Sequence, residues 1–158
     1  MRASLKMGFS FGLTSGVITT LGLMVGLHAG THSMPAVLGG ILTIAVADAL
    51  SDALGIHIAE ESKNHGNTKE VWASTMATFT AKFVIAGTFS IPVLFMPLDL
   101  AIAASLVWGF SLLAMLSYFL ARAQAVPSWK VIGEHVAIGL CVVVITHYLG
   151  EWVRDRFT

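Results

Sequence analysis

Long apolar runs alternate with short polar segments along the whole chain, which has 158 residues. Each run holds about 20 residues, the length that an α-helix needs to cross the hydrocarbon core of a bilayer. The pattern therefore predicts an all-α, polytopic membrane protein built as a single domain. The five predicted transmembrane helices cover residues 7–28, 35–58, 72–96, 98–121 and 131–152.

Prolines and one polar segment set the limits of these helices. Pro35 suits the first turn of the second helix, where its missing N–H costs nothing. Pro92 and Pro97 are expected to kink or end the third helix. The segment 60–69 is the only strongly polar stretch, and it predicts a loop between the second and third helices. The run after Lys6 is too long for the core of a signal peptide, roughly 7–15 residues, so we interpret it as a retained helix.

Composition argues against the other common protein classes. Hydrophobic residues make up 56% of the chain and charged residues only 11%, whereas an ordinary soluble domain carries roughly 25% charged residues. The formal net charge of zero and the single cysteine argue against a nucleic-acid-binding protein and against a disulfide-stabilised secreted domain. Because no Gly-x-Ser-x-Gly element and no glycine-rich phosphate loop occurs, we do not expect an enzyme. The expected surroundings are a lipid bilayer.

Basic residues are concentrated at one end of the predicted helices, which predicts the orientation of the chain. Loops on the cytoplasmic side of a membrane carry an excess of lysine and arginine. We therefore expect the N-terminus inside and the C-terminus outside, in what we interpret as the cytoplasmic membrane of a prokaryote. On the inner side this places Arg2, Lys6, Lys63, Lys69, Arg122 and Lys130, and on the outer side only Arg154 and Arg156.

Four polar residues fall at similar depth inside the predicted helices. Asp48 and Asp52 are four residues apart, so both carboxylates project from one face of the second helix. At a rise of about 1.5 Å per residue, they lie about 20 and 26 Å below the outer end of that helix. Lys82 lies about 21 Å below the same surface, and Ser15 about 18 Å below it. We expect these residues of three helices to meet in the inner half of the bilayer.

The buried charges admit two interpretations. Ionisable groups inside a membrane are costly and mark functional sites, so Asp48 and Asp52 could bind a cation or carry a proton. Ser15 and Ser51 would then supply further oxygens, and Lys82 would be the charge that fills the empty site. The other interpretation is an Asp–Lys pair that only lets the helices pack, because pairing reduces the cost of burial.

A second group of metal-binding side chains is expected at the inner mouth. Glu60 and Glu61 follow His57 by three and four residues, so the three side chains could gather a metal ion there. They could equally form a solvated, charged helix end. The glycines of the first helix form two sets with four-residue spacing, which favours close helix packing over a binding site. These glycines are Gly8, Gly12, Gly16, Gly22 and Gly26.

Two segments resemble the vacuolar iron transporter family. Residues 15–26 read Ser-Gly-Val-Ile-Thr-Thr-Leu-Gly-Leu-Met-Val-Gly and are similar to the opening helix of that family, which begins Asp-Gly. Residues 49–55 read Ala-Leu-Ser-Asp-Ala-Leu-Gly and resemble its Ala-Leu-Ser-Met segment. The resemblance implies a homodimer that exports Fe²⁺ or Mn²⁺ from the cytosol, in exchange for protons. The metal is then a transported substrate, and no permanently bound cofactor is expected.

The chain departs from the family's pattern at its ligands. The family's first-helix aspartate falls on Ser15, and its second-helix methionine falls on Asp52. The acidic residue earlier in that helix falls near Ile44, with Asp48 one turn later. The cytoplasmic metal-binding helices are reduced to residues 60–69, so the chain resembles a short form of the family. Carboxylate and hydroxyl oxygens in place of a thioether suit Mn²⁺ at least as well as Fe²⁺.

A non-transporting membrane scaffold or assembly subunit is the alternative function. In such a protein the Asp–Lys pair is purely structural. It predicts that Asp48 and Lys82 can be exchanged, or neutralised together, without loss of function.

Overall fold

The fold is all-α, as the hydropathy pattern predicts. The computed structural model describes residues 2–63 and 67–157, and this part of the chain contains helices and no strand. The helices are α1 (Arg2–Thr31), α2 (Met34–Lys63), α3 (Thr68–Thr88), α4 (Ser90–Phe95), α5 (Leu98–Gln124) and α6 (Ser128–Phe157).

Five helical segments in the described part of the chain are long and apolar enough to span a membrane. Four of them are single helices, and the fifth, Thr68–Phe95, consists of α3 and α4 together. Each predicted span coincides with one of these segments, although the third, 72–96, runs one residue beyond Phe95, so the prediction of five membrane-length helices is confirmed. The predicted loop over 60–69 is wrong at both ends, because α2 continues to Lys63 and α3 begins at Thr68. Residues 64–66 of that loop lie outside the described residues.

The third membrane-length segment is divided at Phe89, between α3 and α4. Pro92 has no backbone N–H, and its ring crowds the carbonyl of the residue four positions earlier, which is Thr88. The chain tightens here, since the Phe89 N–H donates to the Ala86 carbonyl at 3.2 Å. The helix is therefore interrupted one turn before Pro92, and it ends at Phe95, two residues before Pro97.

α1 is the central helix and packs against α2, α3, α5 and α6. Its glycines allow close approach of neighbouring helices on two different sides. A Cβ at Gly12 would lie only 2.5 Å from the Thr78 carbonyl oxygen of α3. A Cβ at Gly26 would lie 3.3 Å from the Thr146 carbonyl oxygen of α6. In both cases the helix backbones approach closely because no side chain separates them.

The outer surface of the bundle is apolar, and small residues lie inside it. α2 buries one residue per turn, among them Ala45, Ala49 and Ala53, and exposes the large side chains of Leu50 and Leu54. Exposed apolar surface of this extent marks contact with lipid. We call the end of the bundle where α1, α3 and α6 begin the N-terminal face, and the other end the opposite face.

Candidate cation site

The ammonium of Lys82 lies at the centre of a polar cluster between α1, α2 and α3. The residue is only 1% exposed. Its Nζ lies 2.6 Å from Asp48 Oδ2 and 2.5 Å from Asp52 Oδ2, and it donates a hydrogen bond of 2.9 Å to Ser15 Oγ. The structure thus brings together Ser15, Asp48, Asp52 and Lys82, the four residues that the depth calculation places in the inner half of the bilayer. We call them the Lys82 cluster.

Ser15 links the lysine to one of the carboxylates. Its hydroxyl donates to Asp52 Oδ2 at 2.7 Å and accepts from Lys82, so its single hydrogen is committed to the carboxylate. The backbone carbonyl of Ser15 accepts a bond of 2.9 Å from the Thr19 hydroxyl one turn later. Hydrogen bonds to charged partners are shorter and stronger than neutral ones. The bonds that join Ser15, Asp52 and Lys82 therefore connect α1, α2 and α3.

The carboxylates are more accessible than the lysine they contact. The side chains of Asp48 and Asp52 are 31% and 21% exposed, against 1% for that of Lys82. Oδ2 is the oxygen of each carboxylate that lies closest to the ammonium, and neither Oδ1 has a hydrogen-bond partner among the described residues. Two carboxylates face one ammonium, so the cluster offers more carboxylate oxygens than the lysine uses.

Small residues make room for the lysine. Gly16 of α1 faces its aliphatic stem, since a Cβ at Gly16 would lie 3.3 Å from Lys82 Cγ. On α2, the alanines at positions 45, 49 and 53 are buried beside the two aspartates. The stem therefore lies against the α1 backbone while its amine reaches α2. Gly16 consequently positions the cluster in addition to packing helices.

The Lys82 cluster lies near the middle of the bundle along the helix axes. Asp52 is the member closest to a helix end, about 11 residues before Lys63, which corresponds to roughly 16 Å. Ser15 is as far from the start of its membrane-length segment, and Lys82 is slightly farther from either end of its own. The charges therefore lie inside the part of the bundle that a bilayer core of roughly 30 Å would cover.

Ser51 does not join the Lys82 cluster. It is exposed on the outside of α2, and no hydrogen bond connects it to the cluster among the described residues. Successive residues of a helix are about 100° apart, so when Asp52 faces inward its neighbour turns outward. Ser15 of another helix supplies the hydroxyl instead.

The three residues expected at the inner mouth do not gather. His57 Nδ1 lies 3.0 Å from Thr75 Oγ1 of α3, and its ring packs edge-on against Trp72. Glu60 is buried, with an oxygen 3.7 Å from Lys63 Nζ, and Glu61 is exposed. No group of three His, Cys, Asp or Glu side chains in the described ranges is close enough to hold a metal ion. The structure therefore does not bring the three side chains together, because His57 contacts Thr75 and Trp72 of α3, and metal binding at this end of α2 stays a prediction.

Comparisons with known proteins do not extend these observations. No protein-family model matches the sequence, and no curated protein or solved structure matches it either. The function is therefore inferred from the chemistry of the Lys82 cluster, together with the resemblance carried by residues 15–26 and 49–55.

Proposed function

We propose that this protein is a divalent transition-metal transporter that moves Fe²⁺ or Mn²⁺ out of the cytosol in exchange for protons. The observation that carries the proposal is the pair of partly exposed carboxylates, Asp48 and Asp52, held by one buried ammonium in the middle of the bundle. The resemblance of residues 15–26 and 49–55 to the vacuolar iron transporter family supports the same function.

The available ligands determine which ions the site would accept. Asp48, Asp52 and Ser15 offer oxygen atoms only. Carboxylate and water ligands suit Mn²⁺ and similar hard cations, whereas thiolate and thioether ligands select softer ones. We therefore expect Mn²⁺ to be transported at least as well as Fe²⁺, with water completing the coordination.

Lys82 provides the competing charge. Because its amine contacts the same Oδ2 atoms that a metal ion would use, the metal binds by displacing the ammonium. When the metal leaves, the ammonium returns and the carboxylates are again compensated. Without Lys82, the empty site would leave two adjacent, partly buried carboxylates without a compensating cation, which is unfavourable.

The distribution of charge supports the direction of transport. The N-terminal face carries most of the lysines and arginines, and cytoplasmic surfaces are enriched in these residues. We therefore propose that the N-terminal face is cytosolic. The glycines of α1 and its contacts with four other helices suit this helix to pivot during alternating access. The transporter is proposed to act as a homodimer in the cytoplasmic membrane.

The test is metal flux into proteoliposomes loaded with a metal-sensitive dye, with Fe²⁺, Mn²⁺ and Zn²⁺ under pH gradients of both signs. The informative variant is Asp48→Asn/Asp52→Asn/Lys82→Met, because it removes the ionic site without leaving a buried charge unpaired. Asp155→Asn is the matched control, since it neutralises an exposed aspartate far from the cluster.

We expect wild type and Asp155→Asn to transport the metal at equal rates and the triple variant to lose transport. Equal flux in the triple variant would move the pathway away from the Lys82 cluster. An absence of flux in wild-type vesicles, for every ion and both gradients, would contradict transport altogether.

A structural role is the second candidate, and one observation favours it. The Lys82 amine has three oxygen partners and almost no exposure, which is how a charge that only holds three helices together would look. In a scaffold or assembly subunit, the triple variant would keep full function in cells while wild-type vesicles transport no ion. Transport by wild type, lost in the triple variant, excludes this role as the sole one.

A further inference from the structure

A second polar site lies apart from the Lys82 cluster, in a cavity of about 400 Å³ between α1, α5 and α6. Its lining includes Lys6 of α1, Ala123 of α5 and His135 of α6, all close to the N-terminal face. From Lys6 it reaches to Thr14, about 12 Å deeper along α1. We call it the Lys6 cavity.

One wall of the Lys6 cavity is a row of donors without acceptors. Lys6, Ser10 and Thr14 are four residues apart and therefore share one face of α1. The hydroxyls of Ser10 and Thr14 and the ammonium of Lys6 have no partner among the described residues. By contrast, the hydroxyls of Thr19 and Ser111 bond back to carbonyls of their own helices. The row is thus able to donate to a bound molecule.

His135 is held in place on the opposite wall. The Ser117 hydroxyl donates to the Leu113 carbonyl at 2.6 Å, so its oxygen accepts from His135 Nδ1–H at 2.7 Å. A hydroxyl has one hydrogen, which fixes these roles. The remaining ring nitrogen, Nε2, has no described partner. No carboxylate lines the cavity, so its charge is positive.

The other walls are apolar and continuous with the outside of the bundle. Phe9 and Phe119 line the cavity and are 50% and 61% exposed on the surface of the helices. Leu116 and Leu120 lie between them and the polar wall. The cavity therefore combines a cation and hydroxyl donors near the membrane surface with apolar walls that a hydrocarbon chain could follow.

We propose that the Lys6 cavity binds an anionic phospholipid. The phosphate pairs with the Lys6 ammonium, the ester oxygens accept hydrogen bonds from Ser10 and Thr14, and an acyl chain lies along Phe9 and Phe119. A phospholipid carries a matching group for each part of the lining, with a phosphate for the ammonium, ester oxygens for the hydroxyls and hydrocarbon for the aromatic rings.

The test is native mass spectrometry of the full chain in detergent, titrated with phosphatidylglycerol or phosphatidylcholine. We expect the anionic lipid to bind more tightly. Lys6→Gln should weaken its binding about fivefold, since one lysine near a membrane surface contributes that much. Lys69→Gln is the matched control, because Lys69 is exposed at the same face and does not line the cavity. It should leave binding unchanged.

Two further measurements test where the lipid binds and which of its groups the cavity recognises. Ser10→Ala/Thr14→Val should weaken both lipids, because both carry the same esters, and inorganic phosphate should not displace them. Equal loss in Lys6→Gln and Lys69→Gln would overturn the proposal, as would equal affinity for the two lipids. Unchanged binding in the hydroxyl variant, or displacement by inorganic phosphate alone, would overturn it as well. None of these readouts depends on metal transport.

Discussion

The Ser15 hydroxyl donates a hydrogen bond of 2.7 Å to the Asp52 oxygen that the Lys82 ammonium also contacts. Ser15 of α1 therefore helps Lys82 to compensate the charge of a carboxylate of α2. Both donors converge on Oδ2, so the Ser15 bond fixes how this carboxylate is turned relative to Lys82. Ser15 thus orients the carboxylate as well as stabilising it.

Ser15→Ala tests this orientation. Loss of a hydrogen bond to a charged group costs about 1.5–3 kcal/mol, so we expect a lower Tm in detergent and reduced metal flux, with Lys82 still compensating the charge. Ser111→Ala is the control, because the Ser111 hydroxyl is exposed and bonds to its own helix. Equal Tm values for the two variants would mean that the Ser15 bond contributes nothing.

Lys82→Met is expected to destabilise the protein far more than the triple variant described above. Removing one partner of a buried ionic group costs about 3–5 kcal/mol, because it leaves charge uncompensated, whereas replacing the whole group is often neutral. Thermal unfolding and monodispersity on size exclusion compare the stability of the two variants. If Asp48→Asn/Asp52→Asn/Lys82→Met is as unstable as Lys82→Met, charge compensation is not the reason for the pairing.

Gly12→Ala and Gly55→Ala form a matched pair for the close approach of α1 and α3. The added methyl at Gly12 meets the Thr78 carbonyl, while at Gly55 it meets nothing within 4 Å. Overpacking costs about 1–3 kcal/mol, so only Gly12→Ala should lower the Tm measurably. A similar Tm change in both would show that helix propensity, and not the contact, decides the effect.

Orientation is testable by cysteine labelling in a Cys141→Ser background. Ser62 lies near the end of α2 at the N-terminal face, and Ser33 lies between α1 and α2 at the opposite face. Because basic residues favour the cytoplasm, a membrane-impermeant maleimide should label Ser33→Cys in intact cells and Ser62→Cys only after lysis. The reverse pattern would place the N-terminal face outside and reverse the proposed direction of transport.

The helices and the depth of the charges could be predicted from the sequence because both are properties of single helices. Hydropathy fixes the length of each span, and the rise per residue fixes how deep Asp48 and Lys82 lie. Which side of a helix faces its neighbours is a different matter. It depends on packing, so the hydropathy pattern could not predict that Ser51 points outward or that His57 contacts Thr75 of α3.

The Lys6 cavity could not be predicted for the same reason. Its lining combines Lys6 with residues of α5 and α6 that are distant in sequence, such as Ser117 and His135. Only the spacing of Lys6, Ser10 and Thr14 was visible along the chain. Nothing in that spacing indicates that α5 and α6 enclose these three side chains, since contacts between helices depend on how their surfaces pack.

In the proposed transporter, the buried Lys82 ammonium would bear on ion selectivity. The ammonium is a competing cation that is covalently attached to the site, so its effective concentration is fixed by the fold and does not follow the salt content of the cell. A monovalent ion such as Na⁺ or K⁺ would gain little by replacing a charge equal to its own. A divalent ion would bring twice that charge to the same oxygens, so the tethered amine would act as a threshold that abundant monovalent ions do not cross.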